Sequence, residues 1–477
     1  VIHTKNFVSV EQAKEYLQEH KRNKAINILN NIIKHDKSNL EAWRLLAQVY
    51  HSLNKWTKAK ETAQKYIKLG GKDWIVYYIL ADVLFFEGFF EEALVLLKKL
   101  LKRSDVDKNA ITQKIDQIQE KFEKVINKPK LAFITANDSF LDDIVSCLSE
   151  EFWVRKYMIP SSEILIHKGA KFLASKGLKI FSKVLTNIYE YFSRGIYKAI
   201  DWADIVWLEW ANEVAIIGTN YNGAKNKKVI VRLHRYEAFT NYIKQINWNV
   251  VDKLILVSSM MGKAIESVHP DVYSKIKDKI EIIYNGLDVE KIPFKEREPG
   301  YNIAWVAHIH SRKNPMLALQ IISRLIKVDS RYKLHVAGDF QDKMLEIYLK
   351  YMVKEMGLEN NIIFYGWVND MDEWWEDKNY LLSTSVHESF GYNIAEAMAR
   401  GIKPVIHNFF GAYELWPKKN IFNTIDEAVE MIISGEYESE KYREFVEKYS
   451  LDKQIRQIKE IIVSIKQSKH YSLYSKI

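Results

Sequence analysis

Hydrophobic positions divide the chain into two kinds of pattern. Residues 1–126 carry apolar residues at helical spacing, and sliding this segment by 34 residues aligns Ala13 with Ala47 and Ala81, then Ala25 with Ala59 and Ala93. The same shift brings Tyr16 to Tyr50 and Leu84, and puts the turns of three helix pairs at His20, Asn54 and Gly88. Small alanines belong where two antiparallel helices touch, and Trp43, Leu46, Tyr77 and Leu80 fill the layer between pairs. A further charged helix, ITQKIDQIQEKFEKV, is placed to close the stack. From Lys128 short apolar runs alternate with helical stretches: LAFIT (131–135), DIVWLEW (204–210), KVIVRLH (228–234) and KLILVSS (253–259). A second series has IAWVAH (303–308), YKLHVAG (332–338), NIIFYG (361–366), YLLSTS (380–385) and KPVIHN (403–408). Alternation of this kind predicts parallel strands with crossover helices, hence two doubly wound domains joined near residues 282–294. Their ligands are expected at the carboxyl ends of the strands.

Composition narrows the setting. A chain of 477 residues with 47% apolar and 13% aromatic positions can build about three cored domains. Cys147 is its only cysteine, so no internal disulfide forms and a reducing compartment is expected. The opening VIHTKNFVSVEQAKEY lacks the basic-then-apolar run of a signal peptide, and no run of ~18 apolar residues occurs. A cytoplasmic protein, soluble or peripheral to the inner membrane face, is the expectation. The net charge of +9 favours association with anionic partners without naming one, and no nucleic-acid partner is expected. In residues 162–200 seven Lys or Arg face two Glu amid helically spaced apolar residues. That stretch reads either as a surface for an anionic membrane or as a helix packed on the sheet with solvated lysines.

The repeats resemble tetratricopeptide repeats in period and packing, although Lys37 and Gly71 replace the proline that usually ends each repeat. Chemistry concentrates in HESFGYNIAEAMARG, residues 387–401, where Glu388 precedes a helix and Glu396 lies on it. Eight residues of helix span roughly 12 Å at most. Such a pair suits gripping two ends of an extended ligand better than sharing a proton, flanking one glycosidic bond or holding a metal.

Glu388, Ser389, Phe390, Gly391 and Glu396, followed by Ala397, Met398 and Ala399, resemble the signature of retaining nucleotide-sugar glycosyltransferases of group 1, which have two facing Rossmann-like domains (GT-B). YNGLDVEKIPF (284–294), WVAHIHSRKNPMLAL (305–319), NFFGAYELWP (408–417) and REFVEKYSLDKQIRQIKEII (443–462) resemble their counterparts in order. The resemblance implies that Glu396 binds the ribose hydroxyls and Glu388 faces the donor sugar, while Phe390 and Gly391 offer backbone amides to the sugar or diphosphate and Ser389 belongs to the same donor-binding set. Lys313 matches the family's diphosphate lysine, with Asn314 and Pro315 expected as helix cap and first helical residue. His308 stands where the family has an arginine; Arg312 is the expected substitute, and a charged His308 is expected to bind the donor phosphates with it. His234 in RLHRYEAF matches a histidine beside the donor sugar, with Glu237 one turn later. The first loop, TANDSFLDD, departs from the glycine-rich loop of relatives.

These residues imply an α/β fold of two facing Rossmann-like domains behind an all-α repeat domain. The expected limits are 1–126 for the repeats, 127–290 for the acceptor side, and 291–477 for the donor side with its last helix returning to the first Rossmann-like domain. The implied activity is retaining, metal-independent transfer of a hexosyl or N-acetylhexosaminyl group from a nucleotide diphosphate sugar, a UDP-sugar by expectation, to an acceptor hydroxyl. No cofactor is implied. The repeats point to a protein acceptor or partner subunit; a polysaccharide or lipid-linked acceptor and a noncatalytic scaffold remain alternatives.

Overall fold

The computed structural model describes residues 9–159, 193–368 and 370–474. By compactness the chain divides into Val1–Trp207 and Leu208–Ile477. Most of the basic stretch 162–200, through residue 192, lies outside the described residues.

Three helix pairs open the first unit: α1 Val10–Gln18 with α2 Arg22–His35, α3 Leu40–Ser52 with α4 Trp56–Lys68, and α5 Trp74–Phe86 with α6 Phe90–Leu100. Then comes α7, Lys108–Val125. Ser9, Asn39, Asp73 and Asp107 cap the starts of α1, α3, α5 and α7, each accepting a backbone N–H of the first turn. The six repeat alanines are fully buried, as close helix contact requires. His20, Asn54 and Gly88 take φ of 58°, 53° and 83°, so the repeat's turn is left-handed in each copy. Glycine is mandatory at 88, since a Cβ there would lie 1.8 Å from the Val154 carbonyl oxygen.

That approach marks a join. Val154 belongs to β2 (Trp153–Met158), which pairs in parallel with β1 (Lys130–Thr135). Trp153 is packed in one core with Phe90, Leu97, Ile111, Ile115 and Val125. Thus α7, expected to close the stack, also seats a strand, and one core runs across the limit expected at 126/127. Beside it Arg155 donates to the Gly88 carbonyl (3.3 Å) and to Glu91 (2.5 Å), with its guanidinium 4.6 Å from the Trp202 ring centroid. Lys156 is fully buried and pairs with Asp138 (2.9 Å) and Asp142 (2.6 Å), while Thr57 of α4 donates to Asp138 at 2.6 Å. Burial pulls the Lys156 pKa down, but the two carboxylates outweigh it and the net shift is upward.

The first sheet has the order β2-β1-β3-β4-β5-β6, with β3 Ile205–Glu209, β4 Lys228–Leu233, β5 Lys253–Leu256 and β6 Ile280–Ile282. The second has the order β12-β11-β10-β7-β8-β9 and is parallel throughout. Its strands are β7 Asn302–Val306, β8 Lys333–Ala337, β9 Ile362–Gly366, β10 Tyr380–Ser383, β11 Lys403–His407 and β12 Ile421–Phe422. One of its faces packs on helix Tyr392–Ala399, the other on helix Pro315–Val328. Strand order reverses between β7 and β10, the position at which open α/β sheets leave a crevice for ligand.

Two contacts within the second unit hold its segments together. Glu414, after β11, accepts from the Ser259 and Met260 amides (2.7 and 3.2 Å) at the start of helix Ser259–Val268 and from the Tyr284 hydroxyl (2.9 Å). The final helix, Leu451–Tyr474, begins on the connecting segment, where the Leu451 amide donates to the Leu287 carbonyl at 2.9 Å.

Candidate active site

The loops that follow β7 and β10 flank the reversal, and hydrogen bonds sew them together. Thr384 donates to the Lys313 carbonyl (2.8 Å) and accepts from the Trp305 indole (2.9 Å), while the Val386 amide donates to the Arg312 carbonyl (3.0 Å). Residues 71 to 79 apart in sequence meet here because parallel neighbours deliver their carboxyl ends to one edge. Asn314 does not cap helix Pro315–Val328 with its side chain as expected. It takes φ 49°, ψ 55°, and in that left-handed conformation it turns the chain into Pro315.

Lys313 Nζ is hydrogen-bonded to Glu388 Oε1, which also accepts from the Ser385 hydroxyl at 2.6 Å. Glu388 is buried, which raises its pKa, yet Lys313, Ser385 and Arg235 prevail and hold it below the ordinary carboxylate range. Gly391 begins helix Tyr392–Ala399 with φ +99°. Phe390 is wholly buried against Trp416 (5.5 Å) and Tyr449 (4.9 Å), leaving only its backbone for a ligand. Ser389 is partly buried.

Glu396 is different. Its carboxylate is partly buried and takes no hydrogen bond from any described residue. Burial raises its pKa and Asp372 adds to this, against the pull of Arg400. The one charge that would have compensated it, Arg400, is paired with Asp372.

His308 does not join Lys313. It is exposed, stacked on Trp367 (centroids 5.6 Å, 27°) and 3.3 Å from the Gln341 amide, so it packs with the loops after β8 and β9. Arg312 is exposed and its guanidinium makes no hydrogen bond to a described residue.

On the other side of the site, still within Leu208–Ile477, His234 follows β4 and is buried. Its Nε2 lies 2.5 Å from Oε1 of Glu209, the last residue of β3, and Arg232 reaches the same oxygen at 3.2 Å and Asn285 at 2.6 Å. Trp210 stacks on His234 at 3.9 Å with φ 70°, a conformation unusual for a bulky residue and typical of functional sites. Glu237 is a backbone clamp, accepting the amides of Ala211 (3.2 Å), His234 (3.3 Å) and Arg235 (3.0 Å). Arg235 donates to the His387 carbonyl at 3.0 Å and thereby ties the His234 loop to the Glu388 loop. Sequence reasoning missed Glu209, Trp210, Arg232, Arg235 and Ser385. Glu209 alone left a signal, a carboxylate ending an apolar strand.

Helical repeats followed by two Rossmann-like parallel-sheet domains constitute the GT-B architecture in repeat-bearing form. Residues 288–421 match the family Glycosyl transferases group 1 and residues 16–81 the tetratricopeptide repeat, so the chain carries a group 1 glycosyltransferase domain behind tetratricopeptide repeats. A relative is the GDP-mannose:cellobiosyl-diphosphopolyprenol alpha-mannosyltransferase of Xanthomonas campestris, 22% identical over 188 residues, 38% of this chain and 49% of that one. Another is the N-acetylgalactosamine-N,N'-diacetylbacillosaminyl-diphospho-undecaprenol 4-alpha-N-acetylgalactosaminyltransferase of Campylobacter jejuni, 25% identical over 210 residues, 41% of this chain and 54% of that one. The chain thus spans about half the length of the curated relatives it matches. Among solved structures, Anabaena HepE in complex with UDP and glucose shares the fold, with TM-score 0.55 and 14% identity over 70% of this chain and 100% of that one. No helix among the described residues is long and apolar enough to cross a membrane.

Proposed function

We propose that the protein is a retaining glycosyltransferase that moves a hexosyl or N-acetylhexosaminyl group from a nucleotide diphosphate sugar, a UDP-sugar, to an acceptor hydroxyl. The observation that carries this reading is Glu396, a carboxylate unclaimed by protein donors on the helix that leaves the sheet's switch point, with the Lys313–Glu388 pair on the loops before it. Glu396 receives the ribose hydroxyls. Lys313 and the free amides of the helix start take the diphosphate, whose charge grows as the sugar–phosphate C–O bond breaks. Glu388 and His234 orient the sugar, and Glu209 fixes the His234 ring. The acceptor oxygen attacks on the face the diphosphate leaves, and a departing phosphate oxygen takes up its proton. No metal is required in this scheme, because protein cations and backbone dipoles supply the compensating charge.

The domain limits 1–126, 127–290 and 291–477 and a cytoplasmic setting belong to the same proposal. We infer a protein acceptor from the repeats, whose stacked helix pairs are a peptide-binding architecture. A lipid-linked glycan is the second reading, favoured by the diphosphopolyprenol and diphospho-undecaprenol in the names of the two relatives. The full-length chain should release UDP from one member of a UDP-sugar panel, with chelator present, and NMR of the product should give the donor's anomeric configuration. Absence of turnover across broad donor and acceptor panels would leave the scaffold alternative standing.

A further inference from the structure

Around Glu388 the charges do not balance. Lys313 is matched by Glu388, but two guanidinium groups stand in the same cluster without an ion-paired carboxylate among the described residues. Arg235 is partly buried, and the one hydrogen bond its guanidinium gives to a described residue goes to a neutral acceptor, the His387 carbonyl, at 3.0 Å. Both acids near it are engaged: Glu388 by Lys313 and Ser385, and Glu237 by the amides of Ala211, His234 and Arg235. The Arg312 side chain, close enough to repel it, has no partner among the described residues either. Burial, followed by the repulsion of these cations, pushes the His310 and His387 imidazoles toward the neutral form. A desolvated cation without a counter-charge is costly, and clusters of this sort are retained where an anion completes them.

We propose that Arg235 is a diphosphate-binding residue, supplied by the loop after β4 and acting with Arg312 and Lys313 to clamp the terminal phosphate of the nucleotide. The assignment rests on the glycosyltransferase reading above and deepens it. It explains how the site holds two phosphate charges when His308, the position expected to provide the second cation, turns instead to Trp367 and Gln341. Because Arg235 lies next to His234 and reaches the Glu388 loop, the same contact draws the two loops of the site together on the leaving group. The planar guanidinium can give two parallel hydrogen bonds to one phosphate, which a lysine cannot reproduce.

The test measures calorimetric affinities of the full-length protein for UDP, UMP and uridine, with GDP and GMP as the parallel series. Arg235→Gln should weaken the nucleoside diphosphate by about 10- to 100-fold, weaken the monophosphate much less, and leave the nucleoside unchanged; Arg235→Lys should recover only part of the loss. Arg312→Gln, at an exposed side chain whose loss cannot unfold the protein, should weaken the diphosphate selectively by a smaller factor. An equal loss for mono- and diphosphate, or unchanged diphosphate affinity in folded Arg235→Gln, overturns the assignment while the function stands. If the wild-type protein binds no nucleotide in either series, the glycosyltransferase reading fails with it.

Discussion

Replacing Glu396 by Gln removes a charge while nearly preserving shape, and its consequences have opposite signs for binding and for stability. In the folded protein the carboxylate has no hydrogen-bond donor to surrender when a nucleotide arrives, so a ribose diol would gain charge-assisted bonds without breaking others. A hydrogen bond to a charged group contributes about 1.5–3 kcal/mol, which converts to roughly 12- to 160-fold in affinity. Calorimetry of UDP with wild type and Glu396→Gln should show a loss in that range, and the loss should shrink for 2′-deoxy-UDP, which lacks one of the donors. Stability should move the other way. The folded-state pKa of Glu396 is raised, so its ionised form is penalised and its contribution to stability declines as pH rises through that pKa. Glu396→Gln should therefore melt above wild type at neutral pH and equal to it below the ordinary carboxylate range. By the same shift, wild-type affinity for UDP should begin to fall on acidification at a higher pH than an unperturbed glutamate would allow. Equal UDP affinity in the two folded proteins at neutral pH would refute the assignment of Glu396 to the ribose.

Three other outcomes are expected. Glu388→Gln should lower kcat by on the order of 10²-fold through misplacement of the sugar, yet leave UDP affinity unchanged or tighter because Lys313 is released from its carboxylate; weaker UDP binding would contradict this. Glu209→Gln should cost about 3–5 kcal/mol in urea unfolding, since buried Arg232 loses its counter-charge, and a loss under 1 kcal/mol would show that Asn285 suffices for it. Trp153→Ala should remove about 3–5 kcal/mol and unfold α5–α7 together with β1 and β2 in one transition by hydrogen exchange; early loss of the strands with the helices intact would argue against a common core.

What could be read from the sequence had a short-range cause. The 34-residue period is enforced by contacts within each helix pair, and the left-handed turns at His20, Asn54 and Gly88 fall where it puts them. Strands buried on both faces announce themselves as unbroken apolar runs, IVWL in β3 and YLL in β10. By contrast β2, WVRKYM, carries two adjacent cations in its middle and shows no such run. Arg155 and Lys156 are buried because partners from the repeats and from the loop after β1 neutralise them, and no local window contains Glu91, Asp138 and Asp142 with the strand. The site divides along the same line. Lys313 and Glu388 meet because the strand order brings β7 and β10 together, which motif spacing foreshadows. His308 was placed by its rank before Lys313, but its side chain is claimed by Trp367 and Gln341 from other strands. Asn314 had the composition of a helix cap; the turn into Pro315 needed its tolerance of positive φ instead.

The core shared by α5–α7 and β2 has a consequence for anyone wishing to exchange the repeats. Cut at Lys128, the portion that follows would display the bare face around Trp153 to water, and a transplanted repeat array would arrive without the mate that Phe90 and Ile111 require. A cut further upstream, between α4 and α5, where Gly70 and Gly71 precede Asp73, meets a second shared core, because Val76, Ile79 and Val83 of α5 pack with Ala59, Ala63 and Tyr66 of α4. A graft that exchanges the first two pairs must therefore keep the α4 residues that face α5, together with Thr57 and Lys60, the rivets to Asp138 and Glu87.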